Sequence, residues 1–298
     1  MSPAQTHYPG SVTNWAGASE LDRVGHHRRS ADWVANLWRS DDAKLLKLDA
    51  DANFTTCAGG TRLRMTKPFV EFDLQRHRLL GLVDEIPVFA VQALIEGEVH
   101  NLRDVGAQLS DLERDIAAAA TSVVRWHQME PLCPRCGGST TVTNGGYTRF
   151  CDSCQEDHFP RTDPAVIVAV VDDDDRLLLG RQASWGRRVS VLAGFVEAGE
   201  SLEQAIHREI GEEVDIALAE THYFGSQPWP FPRSLMTGFF ARAASTTVCV
   251  DADEIAWAGW FTRDELTRQL AADEVGLPGP SSIAHRMIEA WRAGTLPW

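Results

Sequence analysis

At 298 residues the chain is long enough for about two domains, and its 44% hydrophobic and 23% charged residues exclude wholesale disorder and fibrous repeats. Twenty-eight Lys+Arg against 42 Asp+Glu leave a net charge of −14, which opposes binding to a polyanion through a broad positive surface, so a phosphate-bearing ligand must be handled locally. The longest apolar run, Ala165 to Val171, is far too short to span a membrane and reads as a buried strand. Met1 to His7 has neither the basic start nor the apolar core of a signal peptide, so a cytoplasmic protein is expected. Six cysteines are too sparse for a secreted disulfide scaffold.

In chain order, Trp33–Trp38, Ala43–Leu48, Val70–Phe72, Leu79–Val83 and Val88–Leu94 read mostly as strands, and Asp84-Glu85 reads as a hairpin turn. Leu112, Ile116, Ala119, Val123 and Val124 recur at helical spacing, which predicts a helix from Leu109 to Gln128 that ends before Pro131. A Gly-, Thr- and Asn-rich insert follows, too small for its own core. Strands Ala165–Val171 and Arg176–Gly180 then flank the turn Asp172–Asp175, which reads as solvated turn chemistry and not as a calcium loop. The predicted organisation is an N-terminal, mostly β domain (1–125), a cysteine-bearing insert (126–160) and a C-terminal domain (161–298).

Within the insert, Cys133-Pro-Arg-Cys136 and Cys151-Asp-Ser-Cys154 form two identically spaced pairs, the pattern of a four-thiolate structural zinc site with one Zn²⁺ per chain. Four thiolates leave no open coordination position, so this metal holds the insert together and does no chemistry.

The chemistry is expected in Gly194 to Ile216. Ser201-Leu-Glu-Gln204 is a capping box, so a helix starts there. With Leu202 at zero on a helical wheel, Ile206, Ile210 and Val214 form an apolar stripe at about 40° to 120°, which Ala205 widens to about 300°. Glu209 and Glu213 fall inside that stripe, at about 340° and 20°, with Glu212 at its border near about 280°. Carboxylates aimed inward need cations, and hard oxygens grouped on one helix face suit Mg²⁺ or Mn²⁺ beside a phosphate.

The spacing Gly194-x5-Glu200-x7-Arg208-Glu209-Ile210-x-Glu212-Glu213-x-Asp215-Ile216 resembles the Nudix box, with Asp215 where the family has Gly. Asp tolerates the left-handed conformation that closes such a helix, so only a slightly altered helix end is expected. Farther on, Ser226-Gln227-Pro228-Trp229-Pro230-Phe231-Pro232-Arg233-Ser234 has alternating prolines that hold Trp229 and Phe231 as a rigid aromatic ledge for flat rings. This segment and the cysteine pairs are similar to the NADH pyrophosphatase (NudC-type) branch of that family.

The resemblance implies an α/β/α Nudix sandwich with a mixed sheet, a zinc ribbon, and metal-dependent hydrolysis of NAD(H) to NMN(H) and AMP, with removal of NAD caps from RNA 5′ ends. It implies two or more Mg²⁺ or Mn²⁺ on Glu209, Glu212, Glu213, Glu254 and the carbonyl of Ala193, with Arg208 orienting the glutamates. It also assigns substrate contacts to Phe195, Gln227, Pro228, Trp229, Pro230, Phe231, Pro232, Arg233, Ser234 and the backbone of Ala284. A homodimer is implied as well, while the shortness of the apolar runs predicts no membrane association. A Nudix hydrolase of ADP-ribose or diadenosine polyphosphates, and a non-catalytic nucleotide sensor, stay open as alternatives. Blander readings cover His26–Arg29 as a solvated segment, Trp257 and Trp260 as strand core, and Cys57 and Cys249 as reduced thiols.

Overall fold

Helix α1 (Ala31–Trp38) opens the regular structure of this computed structural model, which describes residues 17–298; the expectation drawn from Met1 to His7 lies outside them. A strand was expected at Trp33–Trp38, and the helix forms because Ser30 caps it, its hydroxyl accepting from the Trp33 N–H at 3.2 Å. Val34 and Trp38, four apart, then share one buried face. The chain groups into two compact units, Gly17–Thr162 with Trp229–Arg233, and Asp163–Pro228 with Ser234–Trp298.

In the first unit, β1 (Lys44–Leu48), β2 (Phe54–Cys57), β3 (Arg62–Leu63), β4 (Met65–Thr66), β5 (Arg78–Val83), β6 (Ile86–Gln92) and β7 (Glu98–His100) make one sheet. Its order is β3-β2-β1-β6-β5, with β4 also on β1 and β7 on β2. Val70–Phe72 adds no strand; the Val70 carbonyl instead accepts from the Trp38 indole at 2.9 Å. The β5–β6 hairpin turns on Asp84 and Glu85, both at positive φ (47° and 64°), the twist a two-residue hairpin loop requires. After α2 (Leu102–Val105), the long α3 (Asp111–Met129) packs its Ile116, Ala120 and Val124 on Leu46, Leu80 and Val88. Strand alternation sends Leu79, Phe89 and Val91 to the other face, against Val34 and Trp38 of α1.

The insert follows as β8 (Thr141–Thr143), β9 (Thr148–Cys151) and β10 (Glu156–His158), a small antiparallel sheet. Its turn at Asn144–Gly146 is gripped by neighbours in the same unit. His127 Nε2 lies 2.8 Å from the Gly146 carbonyl, and the Arg28 guanidinium sits 3.8 Å over the Tyr147 ring. Arg28 is therefore half-buried, whereas His26, His27 and Arg29 are solvated as expected.

The second unit is built on β11 (Asp163–Val171), β12 (Leu177–Arg181), β13 (Leu192–Phe195), β14 (Leu218–Trp229), β15 (Ser234–Ala243) and β16 (Trp257–Phe261). The order β14-β15-β11-β12-β16, with β13 beside β11, is mixed: β11 and β15 are parallel and the β11 pairings to β12 and β13 antiparallel. Val166, Val168 and Val170 pack on α4 (Leu202–Val214), while Ile167, Ala169 and Val171 face the layer of α5 (Arg263–Ala271) and α6 (Ile283–Arg292). Burial on both faces explains why the strand reads as an unbroken apolar run. In the Asp172–Asp175 turn, Arg176 pairs with Asp172 at 2.6 Å and Arg263 pairs with Asp175, so the aspartates answer arginines. Trp257 departs from the core reading: it is exposed on β16, its ring against Gly259. No helix among the described residues is long and apolar enough to cross a membrane.

Candidate active site

Helix α4 begins as its capping box requires, with the Ser201 hydroxyl accepting from Gln204 N and the Gln204 side chain accepting from Ser201 N. Ala205, Ile206, Ile210 and Val214 are buried together with Glu209 and Glu213, so the two carboxylates do point inward. Asp215 ends the helix in the left-handed region at φ 57°, the conformation its place in the pattern demands. Gly194 on β13 is required by close approach, since any Cβ there would overlap the Glu209 carboxyl group.

Arg208 ties these pieces together. Its guanidinium donates to both Glu200 oxygens (2.6 and 2.8 Å), to Glu209 at 2.9 Å, to Glu212 at 3.1 Å and to the Phe195 carbonyl at 2.9 Å. Those bonds hold the Glu200 carboxyl down to about 2, the Arg208 bonds contributing most and the Glu197 backbone N–H adding to them. Glu209 moves the other way: burial raises it, against the pull of Arg208. Glu213 is 5% exposed and is pushed up to about 8, first by burial and then by the charges of Glu209, Glu254 and Glu212. Its Oε2 is buried with no hydrogen-bond partner. Like charges crowded around an unpartnered oxygen are what a divalent cation neutralises, so the donor set fits hard metal ions.

These groups line a cavity of about 710 Å³ on the second unit, where Glu209, Glu212, Glu213 and Glu254 face Ala193 and Phe195. Glu254 reaches it from a tight turn hooked onto the end of α4, because Asp251 N donates to the Glu213 carbonyl at 3.0 Å. Phe195 is 57% exposed, so its ring is free to meet a ligand. The cavity also takes in Gln182 and Ser184 from the turn after β12, which no motif marked.

The proline-rich segment divides. Gln227 is buried, and its amide donates to the Ser281 carbonyl at 2.7 Å and accepts from Ile283 N, so it fastens the first turn of α6. With one donor and one acceptor engaged inside the protein and 1% of its surface exposed, Gln227 holds the start of α6 in place. Ala284 packs its methyl into the core on that same turn, and Ser234 is buried in β15 opposite Asp163. Pro228 is half-buried. Trp229 to Arg233 belong to the first unit. There Pro230 accepts from Arg125 at 3.1 Å, Arg233 pairs with Glu130 at 3.0 Å, Pro232 is exposed, and Phe231 packs against the core beside α3. The Trp229 and Phe231 rings meet edge to face, 5.1 Å apart at 71°, so they form a corner instead of one flat ledge.

Cys133, Cys136, Cys151 and Cys154 bring their sulfurs within 4.8 Å of one another, the one such metal-capable group of cysteine, histidine or carboxylate side chains among the described residues. Sulfur separations of 3.9 Å (Cys133 to Cys154) and 3.7 Å (Cys136 to Cys151) compare with about 3.8 Å for a tetrahedron of bonds near 2.3 Å. Gly138 N and Cys154 N donate to the sulfurs of Cys136 and Cys151, each at 3.4 Å, as thiolate ligands require. His158 Nε2 lies 3.2 Å from the Cys133 sulfur, a neighbour that cysteine spacing alone did not reveal.

The chain matches the NUDIX domain family over residues 161–278. It is 42% identical to the NAD-capped RNA hydrolase NudC of Mycobacterium bovis across 93% of each chain. The chain belongs to the NudC family. Human NAD-capped RNA hydrolase NUDT12, a further relative, is 39% identical over 93% of this chain and 73% of its own. A solved NUDIX hydrolase from Nitrosomonas europaea is similar over 50% of this chain and 94% of its own, at 20% identity and a TM-score of 0.38.

Proposed function

We propose that this protein hydrolyses the pyrophosphate of NAD(H) to NMN(H) and AMP, and that it removes NAD caps from RNA 5′ ends. The observation that carries the reading is the buried, unpartnered Glu213 carboxyl on the α4 cavity, in a chain whose relatives bear the name NAD-capped RNA hydrolase. Glu209, Glu212, Glu213, Glu254 and the Ala193 carbonyl would hold two or more Mg²⁺ or Mn²⁺. When bound, these ions supply Lewis acidity at the phosphate oxygens and a template for in-line attack.

The residues do the rest. Arg208 keeps Glu209 and Glu212 oriented from one guanidinium, and Glu200 keeps Arg208 in place. Water attacks one phosphorus and the bond to the bridging oxygen breaks. The bridging oxygen leaves on the other phosphate, and a carboxylate of the α4 cluster takes the water's proton. Exposed Phe195 offers a stacking face to a base. A net charge of −14 opposes a broad cationic surface for the substrate's phosphates, so their neutralisation falls to this local cluster.

The four cysteines are assigned to one structural Zn²⁺, and the chain is read as an N-terminal domain (1–125), a zinc ribbon (126–160) and a catalytic domain (161–298). A cytoplasmic homodimer completes the proposal. Incubation of the pure protein with NADH and Mg²⁺ or Mn²⁺ tests it: AMP and NMNH should form and should vanish with chelator. NADH binding without AMP release would overturn hydrolysis in favour of a sensor.

A further inference from the structure

His158, the last residue of β10, sets its imidazole against the cysteine cluster, with Nε2 3.2 Å from the Cys133 sulfur. Strand register puts it there. β10 runs antiparallel to β9 with Glu156 opposite Cys151 and His158 opposite Arg149, so alternation places His158 on the same face of the small sheet as Cys151. The opposite residue is held as well, Arg149 donating to the Thr140 hydroxyl at 2.6 Å and to the Pro131 carbonyl at 2.9 Å. Cys133 is 2% exposed and His158 half-buried, so the contact is shielded from bulk water. Four sulfurs within 4.8 Å of one another already complete a tetrahedron, which leaves no position on the metal for a fifth ligand. The nitrogen therefore serves the sulfur and not the metal. Backbone N–H groups of Arg135 and Cys136 also face Cys133, so His158 is the side-chain donor there, the one a substitution can remove.

We infer that His158 is a positioning residue of the zinc site, whose Nε2–H donates to the Cys133 thiolate and strengthens the hold of the cluster on its metal. The inference rests on the assignment of one structural Zn²⁺ to the four cysteines and adds to it a group that touches sulfur alone. Four thiolates on one Zn²⁺ leave a net charge of about −2 concentrated on the sulfurs. An N–H aimed at one of them draws off part of that charge while the metal–sulfur bond stays in place, as a charge-assisted hydrogen bond does. A metal-bound thiolate can only accept, so the ring must carry its proton on Nε2. Because the strand fixes the ring, the donor is already in place when metal arrives, and no side-chain freedom is lost in forming the bond.

The test compares the full-length wild type with His158→Phe, which keeps a flat ring without a donor, and His158→Gln, which returns an N–H. Zinc affinity is measured by competition with a chelator, and each protein is also loaded with Co²⁺, whose thiolate complex shows ligand-field bands and a sulfur-to-metal charge-transfer band. His158→Phe should weaken zinc about tenfold and move the charge-transfer band to lower energy, since a sulfur without its donor gives up an electron more easily. The ligand-field bands of four sulfurs should stay as they are, and His158→Gln should recover part of both losses. Wild-type affinity with an unmoved charge-transfer band in His158→Phe would overturn the inference. So would a weaker site whose charge-transfer band is unmoved and which His158→Gln does not rescue, because the ring would then serve only to pack the strand. Ligand-field bands that change in His158→Phe as if a nitrogen had left the metal would overturn it too, making His158 a ligand. A wild type that binds no Zn²⁺ would refute the four-cysteine assignment itself, an outcome separate from any behaviour of the His158 variants.

Discussion

Glu213→Gln separates the catalytic demand on the α4 cluster from its structural cost. The Glu213 carboxyl rises from its ordinary 4.5 to about 8, and the unfolded chain lacks both causes, burial and the neighbouring carboxylates. A folded-state value above the unfolded one means that the folded protein binds more protons between the two. Stability of the metal-free protein is therefore intact below about pH 4.5 and is lost progressively as pH rises toward about 8. At about 1.4 kcal/mol per unit, the loss near pH 8 is on the order of 4 kcal/mol.

Glutamine removes the charge but leaves a buried amide where Oε2 already has no partner, which costs about 1 to 3 kcal/mol. The net expectation is a chelated variant that is about 1 to 3 kcal/mol more stable than wild type at pH 8, or roughly 3 to 10 °C in melting temperature, with the gain shrinking as pH falls and turning into a deficit of about 1 to 3 kcal/mol near pH 4.5, where the wild-type carboxyl is neutral. Mg²⁺ should then stabilise wild type and do much less for the variant, and NADH turnover should be lost. Melting curves with chelator and with Mg²⁺ at pH 5 and pH 8, beside a product assay, measure all of this. A chelated variant that melts below wild type at pH 8 would refute the electrostatic argument, and wild-type turnover would refute the role in holding metal.

Gly194→Ala should abolish turnover by displacing Glu209 while the sheet persists, to be checked by activity together with circular dichroism; full activity would mean that the Glu209 position is not critical. Cys136→Ser should lower zinc content well below one per chain and lower the melting temperature, read by metal analysis and calorimetry; full zinc occupancy would discount the four-sulfur site. Asp215→Gly should leave activity unchanged and raise stability by up to about 1 kcal/mol, since glycine adopts positive φ without steric cost, whereas a fall in melting temperature would point to a role for the Asp215 side chain beyond its backbone.

What could be read from the sequence was what local periodicity controls. The capping box at Ser201, the inward turn of Glu209 and Glu213 and the left-handed Asp215 all follow from spacing within one helix, where each residue's direction is set by its position. The hairpin at Asp84-Glu85 and the two-sided burial of β11 follow from the same kind of rule. Trp33–Trp38 was misread as a strand because its aromatic and β-branched residues suit one, although Ser30 and the four-residue spacing of Val34 and Trp38 held the helix signal. Gln227 and Phe231 are a different case. Composition showed an amide and a ring, but whether they face a ligand depends on partners far along the chain: the first turn of α6 engages the amide, and Arg103 covers the ring. No spacing rule relates Arg103 to Phe231, because the fold alone brings them together. The glutamate pattern of α4 announces itself because it is written in one helical period, whereas the contact of Arg103 with Phe231 joins segments whose sequences carry no common pattern, and it is there that variants are most informative.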